Sequence, residues 1–440
     1  MFRLFFAISI FCFAAVSYAL NVPHQFPSGT QTVTIPTVSG VRSDLLQNIA
    51  PIIKKSIVGG YYPGAVVLAS HRGHIIYRGV FGNRRIVPDI APMRFNTIFD
   101  VASLTKVVAT TPAIMQLVEQ GKIDLDTPVT KYWPAFAANG KETVTVRELL
   151  THMSGLSSDL SNSISNKPDA YRQAAQLKLT HPPGTAFLYS DANFIVLAYL
   201  VEIISGEPFD QYVQAHIFKP LAMSDTLFLP PASLRDRIAP SEVIDHKLRW
   251  GAVQDPTAHM MGGVSGNAGL FSGAADLGIY AQCLLNQGRI TSTKQQGKKS
   301  SNYLLGPLTV LKMTTPQTLP GIFDTRGLGW DIDSVYSNRG VLFSEHSYGH
   351  TGWTGTSIWI DPATQTWIIV LTSRTHPAIV SNNQVVQDRR AIANIIAASI
   401  TDITTTNLIN TESGELNRAY VNSVLSHNAV QVAINTKNRM

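Results

Sequence analysis

The segments of this chain that are typical of β-strands lie near its two ends, and a long helical block separates them. Residues 65–69 and 74–81 form one pair, joined by His71-Arg72-Gly73, where glycine can adopt the positive φ of a hairpin turn. Residues 356–360 and 366–371 form a second pair. Because strands must share a sheet to bury an apolar face, the pattern predicts an α/β (α+β) fold: an antiparallel sheet built from both chain ends, flanked by helices, with an inserted helical lobe.

Helical patterns flank the strand pairs and suggest domain boundaries. Residues 43–57 place apolar side chains on one side and end at Gly59-Gly60, and residues 388–400 predict a closing helix. Pro-, Thr- and Ser-rich composition predicts an extension before the first helix, and Thr- and Asn-rich composition predicts a tail after the last. We therefore expect an extension over 20–41, a folded domain over 42–400, a helical lobe over about 103–315 and a polar tail over 401–440.

The first residues have the pattern of a secretory signal. Arg3 precedes an uncharged apolar stretch at 4–16, and Ser17-Tyr18-Ala19 offers small residues for cleavage. The stretch is short for a spanning helix, although an uncleaved membrane anchor is the alternative. We expect a signal peptide at 1–19, an exported protein that is periplasmic or secreted, and no stable transmembrane anchor. Cys12 lies within this signal, so Cys283 is expected to be a lone buried thiol in a core without disulfides.

Composition excludes several classes of function. The chain is 45% hydrophobic and only 15% charged, against about 25% charged residues in average proteins, so it predicts a globular domain. Its net charge of +6 is scattered, and Lys294, Lys298 and Lys299 are the nearest thing to a basic run. We therefore expect no nucleic-acid partner. The histidines lack metal-ligand spacing and no Gly-rich phosphate loop is present, so no metal and no cofactor are expected.

A serine and a lysine three residues apart open an apolar helix. In Ser103-Leu104-Thr105-Lys106 the two side chains lie on one helical face, so the amine can meet the hydroxyl. The hydroxyl also lies at the positive end of the helix dipole, and serine needs a neighbouring base to become a nucleophile. A serine cap with a solvated lysine explains the motif equally well when it is taken alone.

A tyrosine before a second buried helix supplies a possible base. Tyr189-Ser190-Asp191 leads into an apolar helix at 194–204, and a phenol beside an ammonium group can accept a proton. Tyr336-Ser337-Asn338 is typical of a hairpin turn, and Tyr420-Val421-Asn422 lies in the tail. Position therefore favours Tyr189, with a helix-capping aromatic as the alternative.

A third motif, His350-Thr351-Gly352, precedes the strand at 356–360. Backbone N–H groups at such a strand edge can point at a substrate carbonyl, and glycine allows close approach. In this order the three motifs resemble those of the serine β-lactamase and penicillin-binding protein superfamily, S-x-x-K, Y-x-N and K-T-G, and their spacing is similar to the class C branch with its esterases and D,D-peptidases. Further stretches carry the resemblance over roughly residues 42–400: 149–156, 220–226, 269–272, 327–330 and 373–377.

The resemblance implies roles for individual residues. Ser103 would be the acylated nucleophile, Lys106 and Tyr189 would share proton transfer, and the backbone N–H groups of Ser103 and Trp353 would form the oxyanion hole. Thr351 would orient the substrate and Arg374 would lie near a substrate carboxylate. The implied substrate-binding positions are Asp191, His350, Thr351, Gly352, Trp353 and Arg374.

Two positions depart from the family pattern. Asp191 stands where asparagine is usual, and at about 4 Å a carboxylate and an ammonium attract by roughly 4 kcal/mol at an effective dielectric near 20. We therefore predict that Lys106 is cationic and Tyr189 is the base; Asn193 is out of register to replace the asparagine. His350 stands where lysine is usual, so a permanent charge for a substrate carboxylate is missing. If His350 contacts that carboxylate, activity should rise as the pH falls toward 6.

The sequence therefore predicts an enzyme, with three functions in competition. The leading hypothesis is an exported serine hydrolase that forms an acyl-enzyme on Ser103, a D-alanyl-D-alanine carboxypeptidase-like enzyme acting on cell-wall stem peptides. The alternatives are an esterase or β-lactamase of the same fold, and a low-turnover penicillin-sensing or wall-binding protein. The expected partner is a small substrate: a stem peptide, a β-lactam or an ester.

Overall fold

A central antiparallel sheet joins the two ends of the chain. The computed structural model describes residues 26–27, 29–160, 163–291 and 302–403. Its strands are β1 (Thr30–Thr34), β2 (Gly64–His71), β3 (His74–Arg85), β4 (Ala91–Pro92), β5 (Ile98–Asp100), β6 (Val243–Ile244), β7 (Lys247–Leu248), β8 (Phe271–Gly273), β9 (Thr325–Arg326), β10 (Asp331–Asp333), β11 (Tyr348–Thr351), β12 (Ser357–Asp361) and β13 (Thr366–Thr372). The sheet has the order β1-β3-β2-β13-β12-β11-β10-β9, with β4 on β3. Because β2 pairs with β13, the predicted sheet from both chain ends is confirmed.

Strand β2 lies at the centre of this sheet and is buried along its whole length. Its alternate side chains point to opposite faces, so Val66 and Leu68 enter one hydrophobic core while Val67 and Ala69 enter the other. The hairpin to β3 turns at Arg72 and Gly73, which both have positive φ, as the sequence predicts. The sheet therefore separates two apolar layers.

Helices cover both faces of the sheet. They are α1 (Ser43–Leu46), α2 (Ile49–Val58), α3 (Thr111–Glu119), α4 (Val146–Leu150), α5 (Lys167–Gln176), α6 (Asp191–Ser205), α7 (Phe209–Val213), α8 (Pro256–Met260), α9 (Ala274–Leu285), α10 (Pro307–Thr314) and α11 (Asn383–Ser399), with π-helical turns at Lys106–Thr110 and Gln214–Phe218. Helices α1, α2 and α11 form one apolar layer with the sheet, and α9 packs on the other face. The predicted helical lobe lies on the α9 side.

Helix α6 is the centre of that lobe. Nine of its fifteen residues are buried, from Ala192 to Val201, and a helix that is apolar on all sides belongs in a core. It ends at Gly206, whose φ of 78° closes the helix in the left-handed conformation. Burial of the helix body fixes the position of its first residue, Asp191.

Three details differ from the sequence prediction. The segment 20–41 is not wholly an extension, because Thr30–Thr34 pairs with β3 as an edge strand. The single helix predicted over 43–57 is two helices, since Pro51 has no N–H for a bond to the carbonyl one turn earlier. The lobe also contains β8, which pairs with β5 and lies directly before α9.

Some predictions fall outside the described residues: the signal at 1–19, Cys12 and most of the tail. Cys283 is a buried free thiol, as predicted. The first residues of the tail return to the sheet, where Asp402 lies 3.0 Å from His71. Within the described ranges no single helix is long and apolar enough to cross a membrane, and only α6 together with 209–218 reaches that length and composition, bent by 79°.

Candidate active site

Ser103 lies on a tight turn between β5 and the helix that follows it. The Asp100 carboxylate accepts a hydrogen bond from the Ala102 N–H at 2.9 Å, and the Thr105 hydroxyl donates to the Ala102 carbonyl at 2.6 Å. These bonds hold Ala102 at a φ of 47°, a conformation that residues with a Cβ rarely adopt. The turn therefore presents Ser103 in a fixed, strained geometry, which is common at functional sites.

Lys106 lies one turn along and is completely buried. It begins the π-helical turn before α3, a distortion that is frequent at functional sites. Its Nζ donates to the Ser103 hydroxyl at 2.9 Å and to the Asn267 carbonyl at 3.0 Å, and lies 2.5 Å from the Asp191 carboxylate. The lysine and serine of the first motif therefore do meet.

Two opposing effects set the charge of Lys106. Burial lowers its pKa, but the neighbouring Asp191 and Tyr189 oxygens outweigh burial and leave the pKa above its ordinary value. Lys106 is thus a cation at neutral pH, which supports the prediction from Asp191. A permanent ammonium cannot take the proton of Ser103, so another group must be the base.

Tyr189 lies beside this ammonium group. Lys106 Nζ is 5.0 Å from the centre of the Tyr189 ring, and the buried His152 ring lies against the tyrosine at 4.4 Å between centroids. His152 Nδ1 accepts the Ser190 N–H at 3.1 Å, so its side chain fixes the backbone next to Tyr189. Burial, with Arg326 next, holds the pKa of His152 well below its usual value, so the imidazole is neutral.

Asn193 has a different role from the asparagine of the family pattern. It is buried, accepts the Ser154 hydroxyl at 2.5 Å and lies 3.3 Å from His152 Nδ1. Asp191, two residues earlier at the start of α6, is the residue whose carboxylate reaches Lys106. The prediction that Asn193 is out of register is therefore consistent with its contacts.

His350 faces this group from strand β11. Only 3% of the residue is exposed, and its Nδ1 donates to the Thr351 carbonyl at 2.8 Å, which leaves Nε2 as an acceptor without a partner among the described residues. Burial, followed by the charges of Arg326 and Lys106, holds the pKa of His350 well below its usual value. This lowered pKa disfavours a cationic His350 near pH 6, and a rise in activity as the pH falls toward 6 stays a prediction.

The turn after β11 brings backbone N–H groups to Ser103. A Cβ on Gly352 would lie 2.4 Å from the Val101 carbonyl, so only glycine allows this approach. The Thr354 hydroxyl donates to the Asp100 carbonyl at 2.7 Å and ties the two turns together. Within the described residues the N–H groups of Ser103 and Trp353 have no acceptor, as an oxyanion hole requires. Thr351 is half-buried at the end of the strand, next to this turn.

Arg374 does not lie free for a substrate carboxylate. It is 1% exposed, and its guanidinium donates to the carbonyls of Trp353 at 2.6 Å and Val380 at 2.5 Å. Burial lowers its pKa to about 10, which still leaves it cationic at neutral pH. The prediction that Arg374 lies near a substrate carboxylate is therefore corrected. Arg374 instead stabilises the turn at Trp353 by hydrogen bonding to its carbonyl.

Sequence reasoning missed two residues behind Tyr189. Arg326 is buried and donates to the Gly329 carbonyl at 3.1 Å. After burial, the larger cause, its charge further lowers the pKa of His152 and His350. Tyr336, assigned from sequence to a hairpin turn, places its ring 5.4 Å from that of Tyr189. The sequence offered one sign of a role for Arg326, its position next to the Gly-Leu-Gly-Trp stretch. The proximity of Arg326 to the two histidines and of Tyr336 to Tyr189 joins segments that are distant in sequence.

The sequence matches the family described as Beta-lactamase over residues 49–390. The chain therefore belongs to the beta-lactamase family. A protein of Salmonella enteritidis PT4 named "Putative D-alanyl-D-alanine carboxypeptidase" is 31% identical over 415 residues, covering 85% of this chain and 91% of the relative. A Salmonella typhi protein of the same name matches over the same shares.

Solved structures show the same fold. A penicillin-binding protein homologue from Caulobacter crescentus superposes with a TM-score of 0.64 at 19% identity, over 83% of this chain and 100% of that one. Simvastatin synthase from Aspergillus terreus gives 0.63 at 22% identity, over 82% and 99%. At such identities the likeness concerns the fold alone. Among the described residues no group of three or more His, Cys, Asp or Glu could hold a metal ion.

Proposed function

We propose that this beta-lactamase-family protein is a D-alanyl-D-alanine carboxypeptidase-like serine hydrolase that forms an acyl-enzyme on Ser103. The observation that carries the proposal is Lys106 Nζ, which lies 2.9 Å from the Ser103 hydroxyl and 2.5 Å from Asp191 while facing the Tyr189 ring. A hydroxyl at a strained turn, beside a cation and a phenol, is suited to nucleophilic catalysis. The name of the Salmonella relatives supports the choice of substrate.

Acylation begins when Ser103 Oγ attacks the carbonyl carbon of the penultimate D-alanine. Its proton passes to the oxygen of Tyr189, the proposed base, whose ring lies 5.0 Å from the Lys106 ammonium. The N–H groups of Ser103 and Trp353 bind the oxyanion, and its collapse breaks the peptide bond. Tyr189 returns the proton to the leaving D-alanine amine. Water then attacks the ester as the same oxygen takes its proton. Tyr189 gives that proton to Ser103 Oγ as the ester bond breaks, which releases the peptide acid and restores the Ser103 hydroxyl.

Intact-protein mass spectrometry after incubation with benzylpenicillin tests the acyl-enzyme. The wild type is expected to gain the mass of one penicillin, and Ser103→Ala is expected to gain none. Release of D-alanine from a stem peptide by the wild type then identifies the peptidase. Penicillin bound without any D-alanine release would favour the penicillin-sensing or wall-binding role instead.

A second candidate is an esterase of the same fold. The neutral His350 favours it, because the strand offers no permanent charge for the carboxylate that stem peptides and β-lactams carry. Fast turnover of a 4-nitrophenyl ester without penicillin labelling would identify the esterase, and rapid loss of the β-lactam itself would identify a β-lactamase.

Export is part of the proposal. Its support is the sequence alone: Arg3, the apolar stretch at 4–16 and the small residues before position 20. The expected result is a protein in the periplasm or medium whose first residue is Leu20. A full-length protein retained in the cell membrane would instead support the anchor.

A further inference from the structure

Arg389 contacts the turn that follows strand β11, although it belongs to helix α11, well further along the chain. It is 2% exposed, and its Nη2 donates to the Thr356 carbonyl at 2.9 Å and lies 3.5 Å from the Gly352 carbonyl. We propose that Arg389 is a positioning residue of the oxyanion hole, whose cation holds and polarises the peptide unit between Gly352 and Trp353. This inference rests on the proposed acyl-enzyme and adds a residue that the three sequence motifs do not contain.

The carbonyl groups of this turn are all engaged by other parts of the protein or by the turn itself. The five carbonyls at positions 352–356 accept, in order, the Gly355 N–H at 3.0 Å, the Arg374 guanidinium at 2.6 Å, the Arg374 N–H at 3.0 Å, the Thr372 hydroxyl at 3.0 Å and the Gly352 N–H at 2.7 Å. The Gly352 carbonyl and the Trp353 N–H belong to one peptide unit, so a donor at the carbonyl makes the N–H a stronger donor in turn. The Trp353 N–H is the one that we assign to the oxyanion.

The charge of Arg389 has no opposite charge bound to it. The adjacent Asp388 carboxylate accepts the Tyr62 hydroxyl at 2.8 Å and the Gln384 amide at 2.8 Å, and Arg389 forms no ion pair within the part of the chain that the structure describes. Burial, followed by the charge of Arg374, lowers the pKa of Arg389 to about 9, so the guanidinium is still cationic at neutral pH. A buried charge without a partner costs free energy, and a neutral donor would satisfy the Thr356 carbonyl without that cost. The charge is therefore the feature that needs a function.

The oxyanion of the proposed reaction supplies that function. Negative charge develops on the substrate oxygen only as Ser103 Oγ attacks, and donors that are already in position stabilise it most where water is excluded. Arg374 adds a second buried cation at the same turn through its bond to the Trp353 carbonyl. Because the oxyanion exists only after attack, we expect Arg389 to affect the rate of acylation rather than the binding of the intact substrate.

The test compares Arg389→Lys, which keeps a cation and a donor, with Arg389→Gln, which keeps a donor and removes the charge. Intact-protein mass spectrometry over a range of benzylpenicillin concentrations gives the maximal rate of acylation and the half-saturating concentration. Arg389→Gln should lower the maximal rate about tenfold, less than the roughly 100-fold loss of a whole oxyanion donor, and leave the half-saturating concentration unchanged. Arg389→Lys should recover most of that loss. Arg390→Gln is a matched control, because Arg390 is the next residue of α11 and donates to the Ser337 carbonyl at 3.1 Å, outside the turn.

The outcomes separate this inference from the proposed function. A wild-type rate in Arg389→Gln, equal losses in the Gln and Lys variants, or the same loss in Arg390→Gln would each overturn the role of the Arg389 charge and leave the acyl-enzyme standing. A loss confined to the half-saturating concentration would overturn it too, as would unfolding of both Arg389 variants, which would make Arg389 a stabilising residue alone. A wild type that benzylpenicillin does not acylate on Ser103 overturns the proposed function, and this inference with it.

Discussion

Asp191→Asn is the substitution that bears most directly on the charge of the site. It keeps the shape of the side chain and removes the charge that lies 2.5 Å from Lys106 Nζ. Burial, the largest influence on the lysine, then acts with less opposition and lowers its pKa. We expect the pKa of Lys106 to fall from its raised value toward that of an ordinary lysine.

The magnitude follows from the distance. Two unit charges 2.5 Å apart attract by about 6 to 7 kcal/mol at an effective dielectric near 20, before desolvation is subtracted. Removing one partner of a buried pair costs about 3 to 5 kcal/mol. Because the Asp191 side chain is 22% exposed, we expect the lower end, about 3 kcal/mol, which is roughly a hundredfold change in the protonation equilibrium of Lys106.

The contribution of Lys106 to stability depends on pH. In the wild type the raised pKa stabilises the folded state fully below the unfolded value of 10.5, and this contribution is lost only as the pH rises through the folded value. In the variant the folded pKa is raised less, so the loss of stability is full at neutral pH. The difference between the two proteins should shrink only as the pH rises through the folded pKa of the variant.

NMR titration of ¹³Cε-lysine protein between pH 6 and 11 measures the effect, with Lys106→Arg to assign the signal. The wild-type Lys106 signal should stay at its protonated position throughout, while the variant signal should begin to move at the upper end of the range. Urea unfolding at pH 7 and pH 10 supplies the stability difference. A wild-type Lys106 that is neutral at pH 7, or a variant with unchanged titration and stability, would refute the assignment of Lys106 as cation and Tyr189 as base.

Three further variants test other parts of the site. Gly352→Ala would place a Cβ against the Val101 carbonyl and should lower kcat/KM about 100- to 1,000-fold through the oxyanion hole, whereas Gly273→Ala, with ordinary contacts, should not. His350→Gln should reduce the stability lost on acidification, because the lowered folded pKa lets only the unfolded chain take up the proton below pH 6.5; urea unfolding at pH 7.5 and 5 should differ from the wild type by up to about 2 kcal/mol. Arg374→Met leaves two backbone carbonyls without a donor and should lower Tm and slow penicillin acylation, and an unchanged rate would contradict its support of the oxyanion turn.

The parts of the fold that the sequence predicts well are those encoded locally. Alternating apolar residues before and after the turn at Arg72-Gly73 determine β2 and β3, and the pairing of β2 with β13 then follows because both strands need a partner. Ser103 and Lys106 are one helical turn apart, so their contact required no knowledge of the rest of the chain. Edge strand β1 could not be predicted in this way, since its polar Thr-rich sequence gains its structure only from pairing with β3.

The errors at the site have one physical cause, which is that burial depends on distant segments. Arg374 was expected to be free, but its partners are carbonyls of Trp353 and Val380. The lowered pKa of His350 could not be predicted either, because burial and the nearby Arg326 charge come from the fold. Residue type predicts which chemistry is available at a position, and only the fold determines whether the group is charged or free to bind.

The two departures from the family pattern form one electrostatic arrangement. Asp191 favours a positive charge on Lys106, on the helix side of Ser103. On the strand side, burial lowers the pKa of His350, and the charges of Arg326 and Lys106 lower it further. A second permanent cation at position 350 would repel Lys106, whereas a neutral imidazole whose Nδ1–H is bound to Thr351 adds no charge. The charged pair of Lys106 and Asp191 therefore lies next to Ser103, which must lose a proton. The strand side of the site offers backbone N–H groups and a neutral imidazole. Selection among substrates would then depend on shape and apolar contact more than on a carboxylate.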